Sequence, residues 1–501
     1  MINKLFNNFV RILSIVFIGI LLVLMFLSSF IDYYDKETLL LPNYLIFLLI
    51  FLIFICLFYL YKKNKIRFNF NIDKAVKIIS GILLIYQLAL ALSIYFIPGW
   101  DPGGLLDESM NRGYYRTYHS KYPNNLLLLF FEIFLCRLNE FLKIFDSDML
   151  TKYIPFVVIN VFINNITCIL TYKCTNLYLN KKYAFISYLL AIMLFGISPW
   201  TIVFYSDSVG LLFPLLTFYF YSKFKKTEKP FVYIFLFIFS GLIGYFIKPQ
   251  CFIIMIAIGI YEIYHCLISK NKKYILKVFL CILVTFSMMF SIKKGLYILA
   301  SFANAPLNAE AEFGPAHFFM MGLNVNSGGG YSQDDVNFSQ TFATKSERNM
   351  ANIEVAISRI EEMDFMGLFK HTINKLLGVF NDGVFGWRFK GEFIRYAKDT
   401  SGSVATFFKN IYYDGEGVFE YFVLFEQFLW LMVISLTFCS CLSKKDNDGK
   451  FILLLSIIGL IMFETLFERG SRYVFTYLPI FCVLAAFGIR NIDCIGRQIK
   501  V

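Results

Sequence analysis

With 501 residues, 58% of them hydrophobic and only 16% charged, the chain departs from a soluble domain, in which about a quarter of residues carry charge. Its formal net charge of +12 is spread as short basic clusters between apolar runs, a pattern of membrane orientation that argues against a nucleic-acid partner. The composition is that of a polytopic membrane protein, all-α because a backbone in hydrocarbon must satisfy its own hydrogen bonds.

The first apolar run is too long for a signal-peptide core and is read as a retained span. In chain order the expected spans are 9–31, 39–61, 75–97, 153–172, 183–199, 208–222, 230–247, 251–268, 276–292, 418–440, 451–466 and 473–489, which makes a bundle of about twelve. Five linkers, Lys62–Lys74, Lys173–Lys182, Lys223–Lys229, Lys270–Lys277 and Lys444–Lys450, carry 19 Lys or Arg between them. The short linkers of the other face carry 3. The basic set is therefore expected in the cytoplasm, with both termini inside and the opposite face outside. Lys293 and Lys294 fall on the wrong side of this map, beside a long loop.

Leu126–Phe145 is long enough to cross, but a crossing there would place the later basic clusters outside. Glu132, Asn139, Glu140 and Lys143 share one arc of its helical wheel, so it is expected as an amphipathic helix along the outer surface or against the bundle. The chain then divides into an N-terminal membrane module over 1–294 with an outer loop at 99–152, an outer region over 295–417, and C-terminal spans over 418–501. Thr344 and Glu347 form a capping-box pattern before a helix near 346–363. The apolar stretch Leu368–Phe380 is expected at the interface, and Gly328–Gly330 in a loop able to move. Of 11 Cys, Cys136 alone falls in the outer regions, so no outer disulfide is expected. Neither Cys nor His spacing suggests a zinc site.

The outer turns hold the candidate chemistry. Trp100-Asp101-Pro102-Gly103-Gly104 places a carboxylate where a span ends, within reach of a hydroxyl proton; a solvated Asp in a helix-ending turn is the alternative. Asp107, Glu108, Tyr114, Tyr115, Tyr118 and Tyr122 follow, suiting a sugar site or an interfacial aromatic belt. Asn124 and Asn125 could bind an acceptor or cap the next helix. Tyr205-Ser206-Asp207-Ser208 is a second acidic turn on the same face, with Asp207 an N-cap candidate. Lys248 marks the next turn, either a phosphate partner or an interfacial anchor. The last outer turn contains Glu468, Arg469, Arg472 and Tyr473. Its two Arg could cradle a lipid phosphate, with Glu468 orienting a guanidinium, or form salt-bridged helix ends. No Walker A, HExxH or GxSxG pattern occurs, so an ATPase, a zincin and a serine hydrolase lack motif support.

These stretches, with Gly244–Pro249, His317–Asn324 and Gly329-Gly330-Tyr331, resemble the GT-C superfamily of integral-membrane glycosyltransferases over about residues 75–490. The likeness is to its Gram-positive bacterial branch, and more distantly to protein O-mannosyltransferases and aminoarabinose transferases. The resemblance implies a GT-C-like bundle and transfer of a sugar from a polyprenyl-phosphate donor to an acceptor outside. A cell-envelope glycan, teichoic acid or glycolipid acceptor is expected, because Tyr122-Pro123-Asn124-Asn125 departs from the motif of the protein-modifying relatives. Asp101 would be the base of an inverting reaction, with Asp207 as its acidic partner. Lys248, Arg469 and Arg472 would hold the donor phosphate. Asp107, Glu108, Tyr122, Asn124, Asn125, His317, Glu468 and Tyr473 would bind acceptor or support the site. No cofactor is expected; a divalent metal could sit between two acidic turns, but the ligand spacing does not call for one. A polysaccharide polymerase or ligase and a polyprenyl-linked glycan flippase are the competing classes.

Overall fold

The structure is a computed structural model that describes residues 2–36, 38–63, 70–111, 116–143, 148–227, 230–269, 271–302, 307–388, 394–397, 401–413, 415–443 and 447–498. Tyr114 and Tyr115 lie outside the described residues. Ten described helices are long and apolar enough to cross a membrane: Leu5–Phe30, Asn43–Leu60, Ile72–Ile94, Leu150–Tyr178, Pro230–Ile247, Pro249–Ser269, Lys272–Ser301, Phe419–Cys441, Asp448–Leu466 and Ser471–Arg497. The chain is an all-α polytopic membrane protein.

The other two expected spans, 183–199 and 208–222, are corrected to shorter pieces. Lys181–Ala191 widens into a π turn at Ile192–Gly196 and stops before Pro199, while Ser206–Gly210 and Phe213–Phe224 are separate helices. Pro199 and Pro214 each stand at the start of a new helical piece, where a missing N–H costs nothing. These pieces nevertheless run the length of Ile154–Tyr178. At one end Tyr178 donates to Ser222 and Lys226 to the Leu177 carbonyl, each at 2.6 Å. At the other, the Asn160 amide donates to the carbonyls of Trp200, Thr201 and Val203 at 2.9, 2.9 and 3.1 Å.

One end of the bundle gathers the basic linkers. Lys181 and Tyr172 hold Asp73, Lys182 and Arg497 hold Asp493, and Lys225 holds Glu262. Asp73 begins the helix Ile72–Ile94, and Asp101 follows that helix at its far end, about 35 Å away by helical rise. The acidic and aromatic turns thus lie a bundle's length from the lysine clusters. Lys293 and Lys294, which disagreed with the charge count, emerge beside the outer region, where Lys293 is paired with Glu312 at 3.6 Å.

The expected span 75–97 ends early. Phe96–Pro98 leaves the helix as a short strand, β1, and pairs antiparallel with β2 (Ile394–Ala397) in the register Phe96↔Ala397, Ile97↔Tyr396 and Pro98↔Ile394. This ribbon ties the approach to Asp101 to a segment nearly three hundred residues later. The core is continuous between the N- and C-terminal stretches: Leu478–Gln498 packs on Phe419–Cys441, Lys181–Ala191 and Ile154–Tyr178.

The polar arc of Leu126–Leu142 is divided: Glu132 and Asn139 are buried while Glu140 and Lys143 are exposed, as are Phe134 and Phe141. Cys136 of that helix touches Ser109 of Asp101–Asn111 at 3.5 Å. In the outer region Thr344 and Glu347 form the capping box, and the helix they start, Lys345–Phe380, bends at Asp364, a non-glycine residue at φ 52°. The Gly328–Gly330 loop is tied rather than loose. Gly328 and Gly329 adopt φ 57° and 77°, and their carbonyls accept from the Arg469 side chain at 2.6 Å and the Arg469 backbone N–H at 2.8 Å.

Candidate active site

Asp101 opens the helix Asp101–Asn111, where the exposed N–H groups of the first turn favour a carboxylate. Its position depends on a tight return of the chain. A side chain at Gly103 would stand 2.0 Å from the Pro98 carbonyl oxygen, so only glycine lets the helix fold back against β1. The carboxylate is half-buried, and the Tyr205 hydroxyl donates to its Oδ2 at 3.0 Å. The Tyr118 hydroxyl faces the same carboxylate; burial first, then the charge of Asp101, raises the pKa of this phenol. Both phenols therefore remain protonated donors.

Arg472 lies beside this pair. Its guanidinium stacks over Trp100 at 4.4 Å and within 5.2 Å and 5.8 Å of the Tyr473 and Tyr205 rings. Nη1 is 3.8 Å from Asp207 Oδ2, too long for a hydrogen bond, and has no hydrogen-bond partner among the described residues. Trp100 in turn meets Tyr205 edge to face at 5.0 Å. The three sequence-distant turns at 100–101, 205–207 and 472–473 thus form one aromatic-walled acid–base cluster.

Asp207 serves this cluster differently from the expectation. It has no exposed surface, sits inside the one-turn helix Ser206–Gly210 started by Tyr205, and forms a buried ion pair with Lys248. Lys248 also lies over the Tyr473 ring at 4.3 Å. Burial pulls its ammonium pKa down, and the Asp207 carboxylate opposes that pull. Asp207 contacts the two cations, and it is Tyr205 that reaches Asp101.

Arg469 departs from the expected cradle. Its guanidinium turns away from Arg472 to Asp35 at 2.9 Å and to the Gly328 carbonyl. Gly470 is extended (φ −164°), so the side chains three residues apart do not share a helical face. Glu468 stays with the cluster: Tyr473 donates to it at 3.3 Å, and burial raises its carboxyl pKa, opposed by Arg472. Tyr122 packs tilted on Tyr118 at 4.8 Å and meets Phe313 edge to face at 5.3 Å. Asn125 does not cap Leu126–Leu142 through its side chain; it donates to the Tyr118 hydroxyl at 3.3 Å, and Asn124 reaches Asn125 at 3.5 Å. Asp107 and Glu108 are buried in the Asp101–Asn111 helix.

His317 lies in the outer layer, fully buried, bonded through Nδ1 to Ser339 at 2.7 Å and packed on Phe313. Burial lowers its pKa to about 4, so it is a neutral imidazole in that layer. Among the described residues no group of three His, Cys, Asp or Glu stands close enough to hold a metal. Trp100, Tyr118 and Tyr205 all stand in the candidate stretches of the sequence; what the structure adds is their contact with Asp101 and Arg472, which the spacing of charges does not signal.

No curated protein matches this chain. A family profile described as "conserved hypothetical integral membrane protein" matches residues 2–492, and the chain belongs to that family.

Proposed function

We propose that the protein is a GT-C-type membrane glycosyltransferase that moves a sugar from a polyprenyl-phosphate donor to a cell-envelope glycan, teichoic acid or glycolipid acceptor on the outer face of a bacterial plasma membrane. The observation that carries this reading is the meeting of Asp101, held by Tyr205 at 3.0 Å, with the Arg472 guanidinium stacked on Trp100 at one end of an apolar bundle. A hydroxyl-activating carboxylate and a phosphate-binding cation beside lipid are the two groups that such a transfer needs.

In this mechanism Asp101 takes the proton of the acceptor hydroxyl as its oxygen attacks the anomeric carbon. The bond from that carbon to the phosphate oxygen breaks on the opposite face, which inverts the centre and releases polyprenyl phosphate. Arg472, whose Nη1 has no partner among the described residues, donates to the departing phosphate. Lys248 adds positive potential from behind Tyr473, with Asp207 as its counter-ion. Arg469 shapes the outer loop through Gly328 and Asp35.

The test is purified protein with polyprenyl-phosphate hexose and lipid-linked acceptors. Release of polyprenyl phosphate with a one-sugar mass gain supports the reading. Joining of two lipid-linked glycans would make the protein a polymerase, and movement across liposomes without product a flippase. Arg472→Gln is expected to raise the donor KM about 10–100-fold with a smaller loss in kcat, and Arg472→Lys to restore little, because an ammonium lacks the planar fork that stacks on Trp100.

Both termini belong inside in this reading. A membrane-impermeant maleimide added to intact cells is expected to label cysteine at Glu416 and to spare cysteine at Lys273, both exposed positions at opposite ends of the bundle. Labelling of Lys273→Cys with Glu416→Cys silent would reverse the orientation.

A further inference from the structure

The first part of the helix Lys345–Phe380 buries polar side chains while it leaves aliphatic ones exposed. Three of its polar residues point into the protein: Arg348 is buried and donates to the carbonyls of Ser339, Glu310 and Phe342 at 2.8, 2.7 and 2.8 Å. Asn352 is buried and accepts from Ser339 at 3.0 Å, and Arg359 is bidentate to Asp335 at 2.6 and 3.1 Å. These bonds fix the rotation of the helix. The outward side carries an apolar stripe, Met350, Ile353, Ile357 and Ile360, at helical spacing and with Met350 62% and Ile357 49% exposed, flanked by the exposed Glu347, Glu354, Ser358 and Glu361.

We propose that this stripe rests on the outer lipid leaflet and holds the outer layer down on the membrane. The stripe continues past the Asp364 bend into Phe365 and Met366, 82% and 66% exposed, where the helix turns in to join the bundle. Beyond the bend Lys375 donates to the carbonyls of Thr465 and Phe467, so the stripe leads to the end of the span Asp448–Leu466, where Met462 and Leu466 are exposed. Leu126–Leu142 likewise exposes Phe134 and Phe141 next to the exposed Arg137 and Glu140. An apolar stripe flanked by charged side chains is the arrangement of a helix that lies in the membrane interface, its apolar side in the acyl chains and its charges towards water. A second copy of the chain fits this face poorly, because Glu347, Glu354 and Glu361, seven residues apart beside the stripe, would confront their counterparts. The inference is independent of the proposed enzyme activity.

The test places a coumarin-bearing amino acid at Ile357 or, as a reference off the stripe, at Ser358, in protein reconstituted into phosphatidylcholine nanodiscs. Lipid with brominated acyl chains is expected to cut the emission at position 357 about twofold and to leave position 358 nearly unchanged, with aqueous iodide showing the reverse order. Iodide quenching at 357 as strong as at 358 would overturn the proposal in favour of a water-facing stripe. Shielding of 357 from both quenchers would overturn it in favour of a protein cover. If the label at 357 prevents folding, judged by size-exclusion, the same comparison is made at Ile353.

Discussion

Asp101→Asn is expected to fold and insert as the wild type does and to lose sugar transfer by about 10²–10⁴-fold, the range that a positioned general base contributes. Folding should survive because the amide keeps the shape of the carboxylate and presents an oxygen to the Tyr205 hydroxyl at the same 3.0 Å contact. What it loses is the capacity to take a proton. Tyr205→Phe separates position from chemistry: it removes one of the phenols that face the carboxylate and leaves the base itself. Its rate should fall less than that of Asp101→Asn, because the carboxylate that takes the proton is still present. Rates are measured with polyprenyl-phosphate hexose and folding by thermal unfolding in detergent. Wild-type turnover by purified Asp101→Asn would remove Asp101 as the base, whatever the behaviour of Tyr205→Phe.

The pairing of Asp101 with Arg472 was legible because both turns follow apolar runs and the lysine count puts those runs' ends on one face. Direction of the side chains was not. Arg469 and Arg472 look like one basic pair by spacing, yet the extended Gly470 sends Arg469 to Asp35 and Arg472 to Trp100. Asp207 looks like a twin of Asp101, but Tyr205 starts a single helical turn that buries residues 206–210 and turns the carboxylate towards Lys248. Spans failed for a related reason: 183–199 is apolar throughout, and hydropathy does not register that a π turn and Pro199 divide it. Where apolar length and local caps decide the outcome, as for Phe419–Cys441 or the Thr344–Glu347 box, sequence sufficed. Where contacts hundreds of residues apart decide it, as in β1 with β2, no local signal exists.

Asp207→Ala is expected to destabilise the protein by about 3–5 kcal/mol, because it leaves the buried Lys248 ammonium without its counter-ion and removes the carboxylate beside Arg472. If the pair is chiefly a charge-neutralising device, Lys248→Met alone should also be costly, since it leaves Asp207 buried with Arg472 at 3.8 Å as its remaining cation. The double variant Asp207→Ala/Lys248→Met should then be far less unstable than the sum of the two single changes, as two apolar side chains in a dry site need no partner. Thermal or denaturant unfolding of the four proteins measures that coupling directly. The same set asks whether Asp207 also acts in the reaction. A counter-ion can be dispensed with once its cation is gone, so the double variant should keep measurable transfer while Asp101→Asn does not. Additive losses in stability would remove the charge-neutralising role of the pair, and a double variant as inactive as Asp101→Asn despite normal folding would assign Asp207 a chemical role of its own beside Arg472.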